Sequence, residues 1–291
     1  MFFVEINPYS IGNISILSRN LSDNQMEQYY QRWIKHYNRV FKEEDSFQIV
    51  EWRIREWKAI KEMYASSILF CEAQKSYKYN CEASFFFSLY YSLFHAQLSC
   101  LCFDSSISLD ELNKITHQKL GGIFENNFSS GKNSISQSKI PENFVALRKL
   151  REYYSYTLPL NSFGFNNELI ELIKNQLTEC FQITCIHSLF FERAFSKHGE
   201  LLKIDNVDLM EHMDVKFRET LTRPLVGQDN IEPADRNVLM EIFQYGIGFQ
   251  YIPLQLDHTF DELRTYSRFD TSEEDALAES EIYSFIFQSI M

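Results

Sequence analysis

Glycine and proline are scarce in this chain, with 9 Gly and 6 Pro in 291 residues. That shortage excludes a collagen-like or low-complexity polymer. With 45% hydrophobic and 15% aromatic residues, it also excludes a mostly disordered chain, because enough apolar surface exists to bury packed cores. The sequence also lacks positive charge overall, with 28 Lys and Arg against 40 Asp and Glu, a formal charge of −12. Taken whole, that balance argues against a nucleic-acid partner. The imbalance is local, however. Residues 1–199 hold 21 basic and 21 acidic side chains, whereas residues 200–291 hold 7 and 19. All of the excess negative charge sits in the last third, so the two parts call for separate functional readings.

Other absences narrow the chemistry. There is no Walker loop, nucleophile elbow, Gly-x-Gly-x-x-Gly or His-Glu-x-x-His, which removes the motif-based support for nucleotide hydrolase, esterase, dinucleotide-binding and zinc-protease readings. The start of the chain has no basic residues before Glu5 and Pro8 and does not read as a secretion signal. Cys71, Cys81, Cys100, Cys102, Cys180 and Cys185 fall inside apolar helical patterns, as buried thiols of a reducing cytosol do, and a cytoplasmic location is expected. Cys100 and Cys102 are separated by one residue, not the two of a redox or zinc pair. Ala83–Phe103 carries no Asp, Glu, Lys or Arg over 21 residues, long enough to cross a bilayer. Its serines, His95 and Gln97, and the absence of basic flanks, favour a soluble bundle's central helix. The small residues Ser84, Ser88, Ser92, Ala96 and Cys100 would let a neighbouring helix approach closely.

The elements that are present are mostly helical. Phe2–Ile6 and Ile14–Leu17 read as short extended runs. Helical spacing predicts helices from about 22 to 42, 47 to 79, 81 to 103, 109 to 128, 141 to 156 and 168 to 198. Ser108 and Glu111 form a capping box for the fourth. Gly121-Gly122 implies a kink or a close backbone contact there. Beyond Gly199, segments 214–222 and 243–256 read as strands, and 261–268 and 272–288 as helices. The expected architecture is mainly α: an antiparallel helical bundle with a short extended N-terminal segment and an acidic α+β C-terminal unit. The divisions fall at 1–48, 49–199 and 200–291.

Three stretches carry a family resemblance. The first is Glu82 to Ala96, with Tyr90-Tyr91 followed by Phe94-His95-Ala96. The second is Thr116-His117 followed by Phe124 and Phe128. The third is Ile140-Pro141-Glu142 followed by Leu147, Leu150 and Arg151 to Tyr156. Residues 57–198 thereby resemble the HEPN superfamily, particularly its small stand-alone prokaryotic branch. The resemblance implies an antiparallel bundle that commonly dimerises, and active members that are metal-independent ribonucleases. Many are toxins or antiviral effectors encoded with a nucleotidyltransferase. Their working motif is an Arg followed, after four to six residues, by a His. The Arg holds the scissile phosphate and the His moves protons. Here the permitted positions after Arg148 hold Tyr153, Tyr154 and Ser155, and those after Arg151 hold Tyr156, Thr157 and Leu158. Tyrosine, with an ordinary pKa of about 10, is a poor base at neutral pH.

Arg148 and Arg151 share a helix face and could present two cations to one phosphate, or simply form a solvated basic edge. Tyr153, Tyr154 and Tyr156 could line an RNA or nucleotide groove, or serve packing. His95 and His117 match family positions and could converge between helices, or be core histidines. His212 with Asp214, and Asp257 with His258, resemble metal ligands only if folding unites them; no metal or organic cofactor is expected. The tryptophans and bases between Tyr29 and Lys61 could bind RNA, but nearby acids nearly cancel their charge, as in an ordinary amphipathic helix pair. The acidic C-terminal unit could mimic nucleic acid, cover a basic partner, or only confer solubility.

Two functions follow. The first is a HEPN-like interaction or regulatory protein whose nuclease motif has decayed. It would form a homodimer or a complex with a nucleotidyltransferase or nuclease in a toxin–antitoxin or antiviral system. The second is a metal-independent ribonuclease using Arg148 or Arg151 with a displaced His95, His117 or tyrosine.

Overall fold

The computed structural model describes residues 20–43, 45–130, 134–136, 138–157, 167–198, 202–222, 231–256, 259 and 273–290, with side chains in the last segment from 280. These residues form a mainly α-helical protein, and among them there is no strand. The extended N-terminal runs expected at 2–6 and 14–17, and the helix expected at 261–268, lie outside the described residues.

Helix α1 (Asp23–Glu43) buries Met26, Tyr29, Trp33, Tyr37 and Val40, the three-to-four spacing of one apolar face. Helix α2 (Ser46–Lys78) opens with a capping box in which Gln48 N donates to Asp45 Oδ1 and Asp45 N to Gln48 Oε1. Asp45 is therefore the cap of α2. Apolar residues are buried around much of α2, including Val50, Ile54, Trp57, Ile60, Met63 and Phe70, as befits a central helix. All three tryptophans are buried, so the tryptophans of the stretch at 29–61 serve packing; α1 has a single apolar face, whereas α2 is covered on most sides.

Asn80, in the left-handed region at φ 55°, turns the chain into helix α3 (Glu82–Leu101). Pairs Tyr77–Phe85 and Glu62–His95 show that α3 runs antiparallel to α2. Its small residues Ser88, Ser92, Ala96 and Cys100 are buried, while Ser84 is exposed. The Cys100 end of this stripe meets helix α7 (Asn167–His198). There Ser99 Oγ lies 2.8 Å from Thr184 Oγ1, and the Cys100 thiol donates to the Cys180 carbonyl at 3.2 Å. No helix among the described residues is long and apolar enough to cross a membrane.

The predicted fourth helix is divided. Ser108 and Glu111 cap the short α4 (Leu109–Asn113) as the spacing implies, then Thr116 caps α5 (His117–Phe124), which runs into a π-helical turn at Glu125–Ser129. A Cβ on Gly121 would sit 3.4 Å from Phe144 Cδ1, so the close contact belongs to Gly121; Gly122 faces open space. Helix α6 (Ile140–Thr157) packs antiparallel to α3 through Tyr154 on Phe86 and Phe144 on Tyr90.

His187 of α7 anchors this core. Tyr37 donates its only hydroxyl proton to the Phe103 carbonyl at 2.9 Å, so it accepts from His187 Nδ1 at 2.7 Å. His187 Nε2 is then an acceptor and receives the Tyr29 hydroxyl at 2.5 Å. Burial, with Arg32 adding to it, pushes the imidazole down to about 3, leaving it neutral and fully hydrogen-bonded.

The C-terminal third corrects the sequence reading. Segment 214–222 lies mostly in helix α8 (Val207–Leu221), where Leu209, Met213 and Phe217 recur every four residues and are buried. That is a helical period, not the alternation of a strand. Segment 243–256 begins as the end of helix α9 (Pro233–Tyr245) and passes Gly246 at φ 89°. It then makes an isolated bridge from Ile247 to Leu202 and one helical turn at 252–256. Helix α10 (Glu273–Ile290) places Phe285 on Phe70 and packs near α7. Aromatic and β-branched composition suggested strands here, and tertiary burial overrode it. The apolar core continues from Leu21 to Ile290. Polar ties join it across position 200: Asp235 is fully buried, accepting from Trp57 Nε1 at 2.7 Å and pairing with Lys61. Buried Glu56 accepts from Gln250 N and Gln255.

All six cysteines are free. Five are buried, and Cys81 departs from the expectation by being exposed at the turn before α3.

Candidate active site

Three helices bring polar side chains to one face of the bundle. Helix α3 supplies Tyr90, Tyr91 and His95, α5 begins with His117, and α6 supplies Arg148 and Arg151. The Tyr91 ring is the common reference. Arg151 Cζ lies 5.7 Å from its centroid, the His117 ring 5.8 Å and the His95 ring 6.5 Å. Arg151 also stands 5.3 Å over the Tyr90 ring. The cation is held by aromatic faces, and its buried Nε has no hydrogen-bond acceptor. Among the described residues Arg151 forms no ion pair, whereas Arg148 faces Glu152 at 3.8 Å.

The two histidines are held differently. His95 Nδ1 is 2.5 Å from Glu62 Oε2, and Lys58 donates to Glu62 Oε1 at 2.8 Å. Burial alone would raise Glu62, but Lys58 and the His95 hydrogen bond outweigh it and hold the carboxyl at about 2. Glu62 is thus an acceptor-only carboxylate, so His95 donates from Nδ1. Its Nε2 is left as the basic nitrogen, on a side chain that is 27% exposed. This is the carboxylate–imidazole arrangement in which one partner orients the other for proton transfer. His117 Nδ1 shares a hydrogen bond of 2.6 Å with the Tyr90 hydroxyl. Burial first, then Arg151 and Arg148, lower His117 below the ordinary imidazole range, which keeps it neutral at pH 7. Burial raises the Tyr90 hydroxyl, with Arg151 opposing, so it stays protonated.

Arg148, Arg151, His95 and His117, each singled out from sequence, therefore share one neighbourhood. The tyrosines after Arg151 divide. Tyr154 is buried against Phe86, while Tyr153 and Tyr156 are exposed on the outer side of α6. Sequence reasoning missed Glu62 and Lys58. Their spacing signals only a helical ion pair, and nothing linear connects Glu62 to a histidine 33 positions away. Tyr90 and Tyr91 were visible as an aromatic pair but not as the surface on which Arg151 rests.

Of the metal candidates, the described pair is engaged elsewhere. His212 packs edge-on against Phe47 and lies 3.5 Å from Glu51, while Asp214 pairs with Arg218. Asp257 and His258 lie outside the described residues. Among the described residues no group of three or more His, Cys, Asp or Glu side chains could hold a metal ion. Comparison of the chain with protein-family models, curated proteins and solved structures gives no match in any of the three.

Proposed function

We propose that this protein is a HEPN-like ribonuclease whose arginine and histidines come from different helices, in place of the single-helix motif. The observation that carries the reading is the convergence of Arg151, His95 and His117 around the Tyr91 ring. Arg151, with Arg148 beside it, would hold a phosphodiester and stabilise charge building on its oxygens. His95 Nε2 would take the proton of the ribose 2′-hydroxyl as that oxygen attacks phosphorus and the bond to the 5′-oxygen breaks. The same proton would return to the departing 5′-oxygen. Neutral His117 would contact the substrate without adding charge. Glu62 is a positioning residue, since it acts through His95. As the HEPN resemblance implies, the reaction needs no metal.

Incubation of the purified protein with RNA in a chelator tests this. Cleavage is expected in the wild type and lost by at least about 100-fold in both Arg151→Ala and His95→Ala. Cleavage unaffected by either substitution would sink the proposal.

The second reading is a catalytically decayed interaction component that pairs with itself or with a nucleotidyltransferase or nuclease partner in a defence system. It is favoured by the position of Glu152 beside Arg148 and by exposed Tyr153 and Tyr156 on the same helix. A wild type that cleaves no RNA but retains a stoichiometric protein partner supports that reading over the enzyme.

A further inference from the structure

Two open depressions lie along the end of the bundle where α2 turns into α3, and both are lined by Lys75. The first, about 650 Å³, has Phe87 and Ser155 on its walls. Phe87 contacts Tyr91 at 4.7 Å, the ring beneath Arg151, and Ser155 is one helical turn beyond Arg151 on α6. The first depression is therefore the continuation of the Arg/His face. The second, about 760 Å³, adds Lys78, Tyr79 and Lys174. Among the described residues none of Lys75, Lys78 and Lys174 forms an ion pair with a carboxylate, although Glu72 and Glu281 also line the depressions.

Exposed aromatic rings concentrate here too. Tyr79, on the second depression, is 71% exposed, and Phe87, on the first, is 46% exposed. Large rings left in water at the end of a bundle with a well-filled core are not needed for packing, and they offer flat faces at low entropic cost. Cations in line with exposed rings are what a flexible polynucleotide strand uses, phosphates meeting the charges and bases stacking on the rings. A duplex would present its bases already stacked inside and could not use the rings.

We infer that the Lys75–Lys78–Lys174 surface is a track for single-stranded RNA leading away from the Arg/His face, an inference that rests on the ribonuclease reading for its direction. From Glu62 to Lys78 is 16 residues along α2, about 24 Å of helix. That length accepts at most about seven stacked nucleotides. The acidic third reaches this surface through α10, whose Glu281 lines the second depression; among the described lining residues Lys75, Lys78 and Lys174 stand against Glu72 and Glu281, a positive balance.

The test uses the full chain carrying His95→Ala, so that bound RNA stays intact, and a labelled single-stranded RNA about 12 nucleotides long, within the size range of such sites. Anisotropy titrations across a range of salt are expected to show K75E with K78E weakening binding by at least about 10-fold and flattening the salt dependence. F87A is expected to weaken it several-fold without changing the salt slope. In the otherwise wild-type chain, the lysine variants should leave cleavage of a dinucleotide unchanged, because it reaches only the Arg/His face. Binding that is unaffected by K75E and K78E but lost in R151A overturns the track while leaving the ribonuclease reading standing. Lysine-dependent binding without any cleavage supports the track and removes the nuclease. No binding of single-stranded RNA at any salt overturns the track, as does equal affinity for duplex and single strand.

Discussion

Two clusters in this molecule are built from the same side chains, histidine and tyrosine, and hold them in opposite ways. Around His187 both ring nitrogens are consumed, by Tyr29 and Tyr37, and the ring is out of water. Around Tyr91 each histidine has one nitrogen engaged, His95 by Glu62 and His117 by Tyr90, and both are only partly covered. Cations lie beside the second cluster, with Arg151 against the tyrosine rings. What separates the two kinds of imidazole here is the remaining nitrogen and its access to solvent, not residue type.

The sharpest way to break this contrast is to delete the buried ring. His187→Ala removes an imidazole packed edge-on by Trp33 at 4.5 Å and leaves two buried hydroxyls short of a partner. A loss of about 3–5 kcal/mol in urea unfolding is expected. His95→Ala, in the part-exposed cluster, should cost no more than about 1 kcal/mol by the same measurement.

Acid provides a second separation. The folded pKa of His187, about 3, lies below its ordinary 6.5, so the unfolded chain binds the proton first. Stability from this group is complete above about pH 6.5 and falls as pH drops toward 3. His187→Gln cannot titrate. The advantage of the wild type over that variant should shrink by about 2 kcal/mol between pH 7 and pH 5. Glu62, held at about 2, contributes in a different window, present above its ordinary 4.5 and lost as pH falls toward 2.

The smallest expected effects come from the paired glycines of α5, the helix that begins with His117. Gly122→Ala adds a methyl group to open space and should stabilise by about 0.5–1 kcal/mol. Gly121→Ala meets Phe144, and its gain should be reduced or cancelled in thermal unfolding.

How much of this was legible in the sequence follows from range. Features confined to a few turns could be read directly: the apolar face of α1, the Ser108–Glu111 cap, the small-residue stripe of α3 and the start of α6 near Pro141. Strands were expected where Phe217, Phe243 and Tyr251 raised β-propensity, but the four-residue recurrence of Leu209, Met213 and Phe217 carries the helix. The candidate site was half legible. Arg148, Arg151, His95 and His117 stand out individually, yet their union depends on three helices meeting. Glu62, which turns the basic nitrogen of His95 outward, is linked to it only through the α2–α3 pairing.

The most direct test of an assembled, reactive His95 is the single-turnover rate of RNA cleavage in a chelator. It compares the wild type with His95→Ala at matched folded fraction, with His187→Gln as the buried control. The expected result is a loss of about 100- to 10,000-fold in His95→Ala and a wild-type rate per folded molecule in His187→Gln. A wild type that leaves RNA intact, or a His95→Ala variant that cleaves at the wild-type rate, would contradict it.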